Sequence, residues 1–150
     1  MKTLLALCVT TGLLLSASST ASASDSIDLS PDEIAARCVN AIHDVVDRCA
    51  NAAAEETKRC VRKIRQLLAD GQKEEAHRVA RECIESATMR TRNCGERVEW
   101  ICDRCIHILL EMGEPTLARR VNNACEDAIE WLLSILEREK DAIRTALGGE

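Results

Sequence analysis

Apolar residues recur at helical spacing along three long stretches of the chain. In the first stretch they form two adjacent stripes, which predicts a helix that contacts two neighbours. One stripe contains Ile34, Cys38, Ala41, Val45, Cys49, Ala52, Cys60, Ile64 and Leu67. The other contains Val39, Val46, Ala50, Val61 and Leu68. The second helix is predicted from about Lys73 to Met112, and the third continues to about Leu147.

Residues at the predicted helix ends support these boundaries. Ser30 and Glu33 form a capping box around Pro31, which suits a first helical position. The segment 70–72, Asp-Gly-Gln, separates the first two helices, and 112–115, Met-Gly-Glu-Pro, separates the second from the third. Glycine just past a helix end and proline near the next start are typical of such connections.

Six cysteines form two triplets with a spacing of eleven residues, one triplet in each of the first two helices. Paired in mirror order, they share a midpoint between Gly71 and Gln72. Equal spacing alone guarantees a common midpoint, but it does not require that midpoint to fall on the turn. The sequence therefore predicts three disulfides across an antiparallel helical hairpin. They are Cys38–Cys105, Cys49–Cys94 and Cys60–Cys83.

The last pair, Cys102 and Cys125, has its midpoint between Gly113 and Glu114, in the second turn. Cys102 and Cys105 lie about 60° apart around the helix axis, so one can face the first helix while the other faces the third. We therefore predict an all-α fold, an elongated antiparallel three-helix bundle with up-down-up topology. Four inter-helix disulfides staple it, the fourth being Cys102–Cys125.

The N-terminal residues indicate export. Residues 1–23 resemble a secretory signal peptide, because an apolar run of 4–15 precedes a small-residue cleavage site at 21–23. That run is too short to span a membrane. Residues 24–29 are then a polar leader, and residues 30–150 form the domain. Cleavage removes Cys8 and leaves eight cysteines, an even number, which suits a secreted or periplasmic protein.

Composition argues against several partners. The net charge is −5, and the chain contains no Phe or Tyr. Proteins that bind nucleic acid usually carry a basic surface and stacking aromatic side chains, so we expect no nucleic-acid partner. No further segment is long and apolar enough to span a membrane. The sequence indicates no small-molecule substrate and no cofactor.

The remaining sequence motifs indicate structural roles and not redox, metal-binding or catalytic ones. Cys102 and Cys105 form a C-x-x-C motif, but it lies in the middle of a helix, whereas redox motifs of this kind occupy helix N-termini. Asp103, His107 and Glu111 lie on one helical line, which we interpret as a solvated face. We expect no metal site there and no catalytic residue elsewhere.

Trp100 and Met89 are the candidate partner-binding residues. They are eleven residues apart, and Trp100 projects almost opposite the direction between Cys102 and Cys105. The leading hypothesis is an exported, non-enzymatic helical scaffold or protein-interaction module that binds a protein partner or self-associates. The alternative is a periplasmic protein that uses its cysteines to bind Cu or Zn or for thiol redox chemistry.

Overall fold

The computed structural model describes residues 29–148, which form three helices and contain no strand. Helix α1 spans Pro31–Ala69, α2 spans Lys73–Glu111 and α3 spans Pro115–Gly148. Each helix packs against both others, which confirms the predicted up-down-up bundle. The predicted signal peptide, residues 24–28 of the leader and residues 149–150 lie outside the described residues. None of the three helices is long and apolar enough to cross a membrane.

The N-terminus of α1 is closed by the predicted capping box. The Glu33 backbone N–H donates to Ser30 Oγ at 3.3 Å, and the Ser30 backbone N–H donates to Glu33 Oε2 at 2.8 Å. Each side chain therefore satisfies one backbone donor that the helix itself leaves unpaired.

The two turns have the same backbone structure. Gly71 and Gly113 adopt positive φ angles of 74° and 77°, a region that costs glycine little. In the first turn the Gly71 N–H donates to the Leu68 carbonyl at 3.0 Å, and the Gln72 N–H donates to the Leu67 carbonyl at 2.8 Å. This is the Schellman pattern, and it recurs around Gly113. Both helices thus end with their last carbonyls partly satisfied.

All four predicted disulfides are present. Three join α1 to α2 with Cα–Cα distances of 6.2, 6.5 and 6.3 Å, and the fourth joins α2 to α3 at 6.2 Å. Along α2, Cys105 bonds to α1 while Cys102 bonds to α3. The split of the C-x-x-C motif between two neighbouring helices is therefore confirmed.

Two apolar clusters fill the bundle, one toward each end. The larger core lies toward the α2–α3 turn. Its buried members are Ala35, Cys38, Ile42, Val45, Val46, Cys94, Val98, Cys102, Cys105, Leu109, Ala118, Val121, Cys125, Ala128 and Leu132. The smaller core lies toward the α1–α2 turn. Its buried members are Ile64, Leu67, Ala76, Ala80, Ile143 and Ala146.

One detail of the predicted α1 stripes is wrong. Ala52 is exposed and its neighbour Ala53 is buried, while Ile42, assigned to neither stripe, is completely buried. The reason is geometric: a helix that contacts two neighbours buries the line between its two contact stripes most deeply. Ile42 and Ala53, eleven residues apart, lie on that central line.

Candidate functional site

The outward side of α2 carries the two side chains that the sequence singled out. Trp100 is 66% exposed and Met89 is 65% exposed, whereas Val98 and Cys102 are buried. We call the surface around them the Trp100 face. It comprises the exposed residues Met89, Asn93, Glu96, Arg97, Trp100, Asp103, Arg104 and His107. The structure therefore places Trp100 and Met89 where a partner can reach them.

Charges on the Trp100 face are sorted by sign. At about 100° per residue, Glu96 and Asp103 lie on one side of Trp100, and Arg97 and Arg104 lie on the other. Glu99, also exposed, lies beyond the acidic side. None of these charged groups forms an ion pair with another residue among 29–148. Their side chains are consequently available to an outside partner.

The groove between α1 and α2 borders this face. It has a volume of about 710 Å³, and its lining includes Met89, Arg97, Arg48 and the Cys49–Cys94 pair. Glu82 and Glu85 line it as well. Its walls therefore mix charged, polar and apolar side chains.

The second tryptophan lies on α3. Trp131 is 44% exposed and lines a groove of about 340 Å³ against the α1 alanines Ala50, Ala53 and Ala54. The guanidinium of Arg138 lies 5.8 Å from the centre of its ring, within cation–π range. Trp131 thus lies at the edge of the α1–α3 junction, and its ring already has a charged partner on its own helix.

A polar layer lies between the two apolar cores. Its central residue is Glu139 of α3, which is only 5% exposed. Arg90 of α2 donates to Glu139 Oε1 at 2.6 Å, and Thr57 of α1 donates to the same oxygen at 2.8 Å. Arg90 also forms an ion pair with Glu56 of α1, and Ser86 donates a hydrogen bond to Glu56. One partly buried network, centred on the buried Glu139, therefore joins all three helices.

The charges within this layer do not balance. Glu56 and Glu139 share the single guanidinium of Arg90, and Glu139 Oε2 is buried without a hydrogen-bond partner among the described residues. The hydrogen bond from Ser86, assisted by Arg90, lowers the pKa of Glu56 below its ordinary value. The arrangement fixes how the helices sit against one another, because any sliding would separate a buried carboxylate from its donors.

The cysteines offer no thiolate within residues 29–148, because all eight are disulfide-bonded. No group of three His, Cys, Asp or Glu side chains in this range lies close enough to hold a metal ion. His107 and Glu111 are both exposed, with 3.2 Å between Nε2 and Oε1. Asp103 does not join them in a cluster.

Sequence reasoning located the exposed tryptophan but missed the polar layer. The sequence does contain one indication of this layer, a charged residue at an interior helical position. Glu139 lies four residues from each of two buried isoleucines, Ile135 and Ile143. Periodicity shows that such a carboxylate points inward. It does not show which arginine meets it.

No family model, curated protein or solved structure matches this chain. The proposals that follow therefore depend on the residues and contacts described above.

Proposed function

We propose that this protein is an exported, non-enzymatic helical scaffold that binds other proteins through the Trp100 face. The observation that carries the proposal is the 66% exposure of Trp100 on a helix whose opposite side is buried. Tryptophan is enriched among the residues that dominate binding energy at protein interfaces. Met89, eleven residues before it and 65% exposed, adds a second apolar side chain three helical turns away on the same side of α2.

The remaining features support a structural use for the rest of the molecule. The buried carboxylate of Glu139 is bound by Arg90 and Thr57, as expected of a group that positions helices. The disulfides hold α2 against both neighbours, so the Trp100 face sits on a rigid support. A preorganised surface loses less conformational entropy when it binds.

Export to an oxidising compartment, secreted or periplasmic, belongs to the same proposal. Four disulfides form and persist where thiols are not continually reduced. The apolar run and small-residue site in residues 1–23 support a signal peptide.

The test compares two tryptophan variants of the oxidised protein. Trp100→Ala should weaken capture of partners from the exported fraction by about thirtyfold, as expected for an anchor worth about 2 kcal/mol. Its unfolding free energy should stay within about 0.5 kcal/mol of the parent, because the side chain is largely exposed. Trp131→Ala is the matched control and should leave capture intact. Equal capture by the parent and Trp100→Ala would contradict the proposal.

Counting free thiols separates this function from the metal or redox alternative. Protein isolated without reductant should show no reactive thiol and should yield peptides joined at the four positions described. Several free thiols together with bound copper or zinc would favour a soft-metal site, because the thiolate is the form that binds metal.

A further inference from the structure

The charges of the Trp100 face bear on which kind of partner can bind there. Glu96, Glu99 and Asp103 recur at three- and four-residue spacing, so carboxylates of like charge are neighbours along one side of the helix. Like charges at this spacing destabilise a helix in isolation. Farther toward the start of α2, Glu75 and Glu82 form ion pairs with Arg78. The three acids of this side form no ion pair among residues 29–148, although Arg92 lies four residues before Glu96. A base from a second molecule can therefore bind them.

The basic side of the same face offers that base in a matching register. Arg97 and Arg104 are seven residues apart, as are Glu96 and Asp103. Each arginine lies one residue, or about 1.5 Å along the axis, from its acidic counterpart. A second copy of this surface therefore presents arginines at almost the same heights as these carboxylates.

The orientation of that second copy follows from how two identical faces meet. When two copies face each other and point the same way, the left side of one meets the right side of the other. The acidic side then lies against the basic side, at both edges of the contact. When one copy is inverted, left meets left, so acid lies against acid and base against base. Only the parallel orientation is electrostatically complementary.

We propose that two copies of this chain associate in parallel through their Trp100 faces, about a twofold axis that runs along α2. The two Trp100 side chains meet at the centre, with Glu96 and Asp103 of each copy opposite Arg97 and Arg104 of the other. This inference depends on the proposed function, because it names the partner of the same surface. The contact is self-complementary, as twofold symmetry requires.

The apolar centre of this contact is small, which sets the expected strength. Trp100 and Met89 are the apolar side chains of the face, and charged residues surround them. Small interfaces of this kind are typical of weak or transient association. We expect a dissociation constant in the micromolar to millimolar range, roughly, that rises as added salt screens the charges.

The first experiment is sedimentation equilibrium on the oxidised protein over a wide concentration range. The parent should show a monomer–dimer equilibrium. Trp100→Ala should weaken it by about tenfold or more. Trp131→Ala, which removes the tryptophan outside the face, should leave the equilibrium unchanged. A parent that stays monomeric up to about 1 mM would overturn the inference.

A charge exchange then tests the pairing. One variant, Arg97→Glu with Arg104→Glu, makes both sides acidic. The other, Glu96→Arg with Asp103→Arg, makes both sides basic. Each alone should be monomeric at concentrations where the parent dimerises, and an equimolar mixture should form a one-to-one complex. Homodimers of either variant with parental strength would contradict the pairing.

A distance measurement decides the orientation. A nitroxide amino acid that needs no cysteine, placed at the exposed position Glu82, lies eighteen residues from Trp100. Parallel dimers bring the two labels side by side, whereas inverted dimers separate them by about 54 Å along the axis. A long distance would overturn the parallel arrangement.

These experiments also distinguish a failure of the proposed parallel dimer from a failure of the proposed partner-binding function. If the parent is monomeric while Trp100→Ala still loses capture of a different protein, self-association is wrong and the interaction function stands. If neither self-association nor capture depends on Trp100, both are wrong.

Discussion

Toward the α2–α3 turn, three disulfides cross a core of fifteen buried side chains, whereas toward the α1–α2 turn one disulfide crosses a core of six. The covalent connections differ as well. Near the α2–α3 turn all three helices are cross-linked to a neighbour. Near the α1–α2 turn the final part of α3 has no disulfide, and its contacts there come from Ile143 and Ala146 in the smaller core and from the hydrogen bonds of Glu139. The polar layer around Glu139 lies between these two differently cross-linked parts of the bundle.

This contrast shows how the bundle divides its stabilising interactions. Alanine and cysteine make up much of both cores, and such small side chains bury little apolar area each. Near the α2–α3 turn, three disulfides add the stability that these small side chains do not supply. Near the α1–α2 turn, α3 relies instead on Glu139, whose contacts with Arg90 and Thr57 reach both other helices. Substitutions at each end of the bundle test this division.

The largest effect is expected from Arg90→Ala. Among residues 29–148 Arg90 is the one cation bound to Glu139, so this change leaves a buried carboxylate uncompensated, which typically costs about 3–5 kcal/mol of unfolding free energy. Urea denaturation of the oxidised protein measures it. The double variant Arg90→Leu with Glu139→Leu is the control and should recover most of the loss, because it removes the buried carboxylate together with Arg90 and leaves Glu56 its hydrogen bond from Ser86. A loss below about 1 kcal/mol for Arg90→Ala would show that Glu139 does not depend on it.

The next largest effect is expected from removing either of two disulfides that close loops of equal length. Cys60–Cys83 and Cys102–Cys125 both span 23 residues, so the chain-entropy model assigns each the same contribution, about 3 kcal/mol. Cys60→Ala with Cys83→Ala should speed hydrogen exchange in the smaller core, whose members are few. Cys102→Ala with Cys125→Ala should leave the larger core protected, because its other side chains still pack.

Thermal melts and exchange monitored by mass spectrometry give both readouts for these variants. The comparison between the two ends would be reversed if removing Cys102–Cys125 exposed the larger core to exchange while removing Cys60–Cys83 left the smaller core protected.

The smallest expected effect is on how the unfolding free energy falls at acidic pH. The pKa of Glu56 is lowered in the folded protein, chiefly by the Ser86 hydrogen bond and also by Arg90. Its ionised form therefore stabilises the fold above the ordinary carboxyl pKa, and this contribution disappears as pH falls through the lowered pKa. Glu56→Gln should flatten the fall in unfolding free energy below about pH 4.

Glu55→Gln is the control for this titration. The pKa of Glu55 is also lowered, first by its hydrogen bond from Lys58, but both side chains are exposed and solvent screens the pair. Its substitution should alter the acid profile less than Glu56→Gln does. An identical profile for the parent and Glu56→Gln would contradict the role assigned to Glu56.

The sequence predicted the architecture because its constraints are covalent and local. A disulfide fixes which heights along two helices face each other, and Gly71 and Gly113 fix where the chain reverses. The exposure of Trp100 followed from its angle to Cys102 and Cys105 on one helix. Information of this kind needs no knowledge of side-chain packing.

The polar layer was not predictable in the same way. Its network depends on the rotations of three helices at once, and on which of many exposed or half-buried bases reaches inward. Arg90 and Arg92 lie two residues apart on α2, yet one is half-buried against Glu139 and the other is exposed. Ile42 was missed for a related reason, because its burial arises only where two contact stripes meet.

The three cross-links between α1 and α2 make the peptide bonds at Gly71 dispensable once the protein has matured. A protease that nicked the exposed segment 70–72 would convert one polypeptide into two, yet the pieces would remain joined by sulfur at three levels. Such damage changes the number of chain ends without changing the molecule's shape. Such tolerance would lengthen the working life of the exported scaffold proposed above wherever proteases share its compartment.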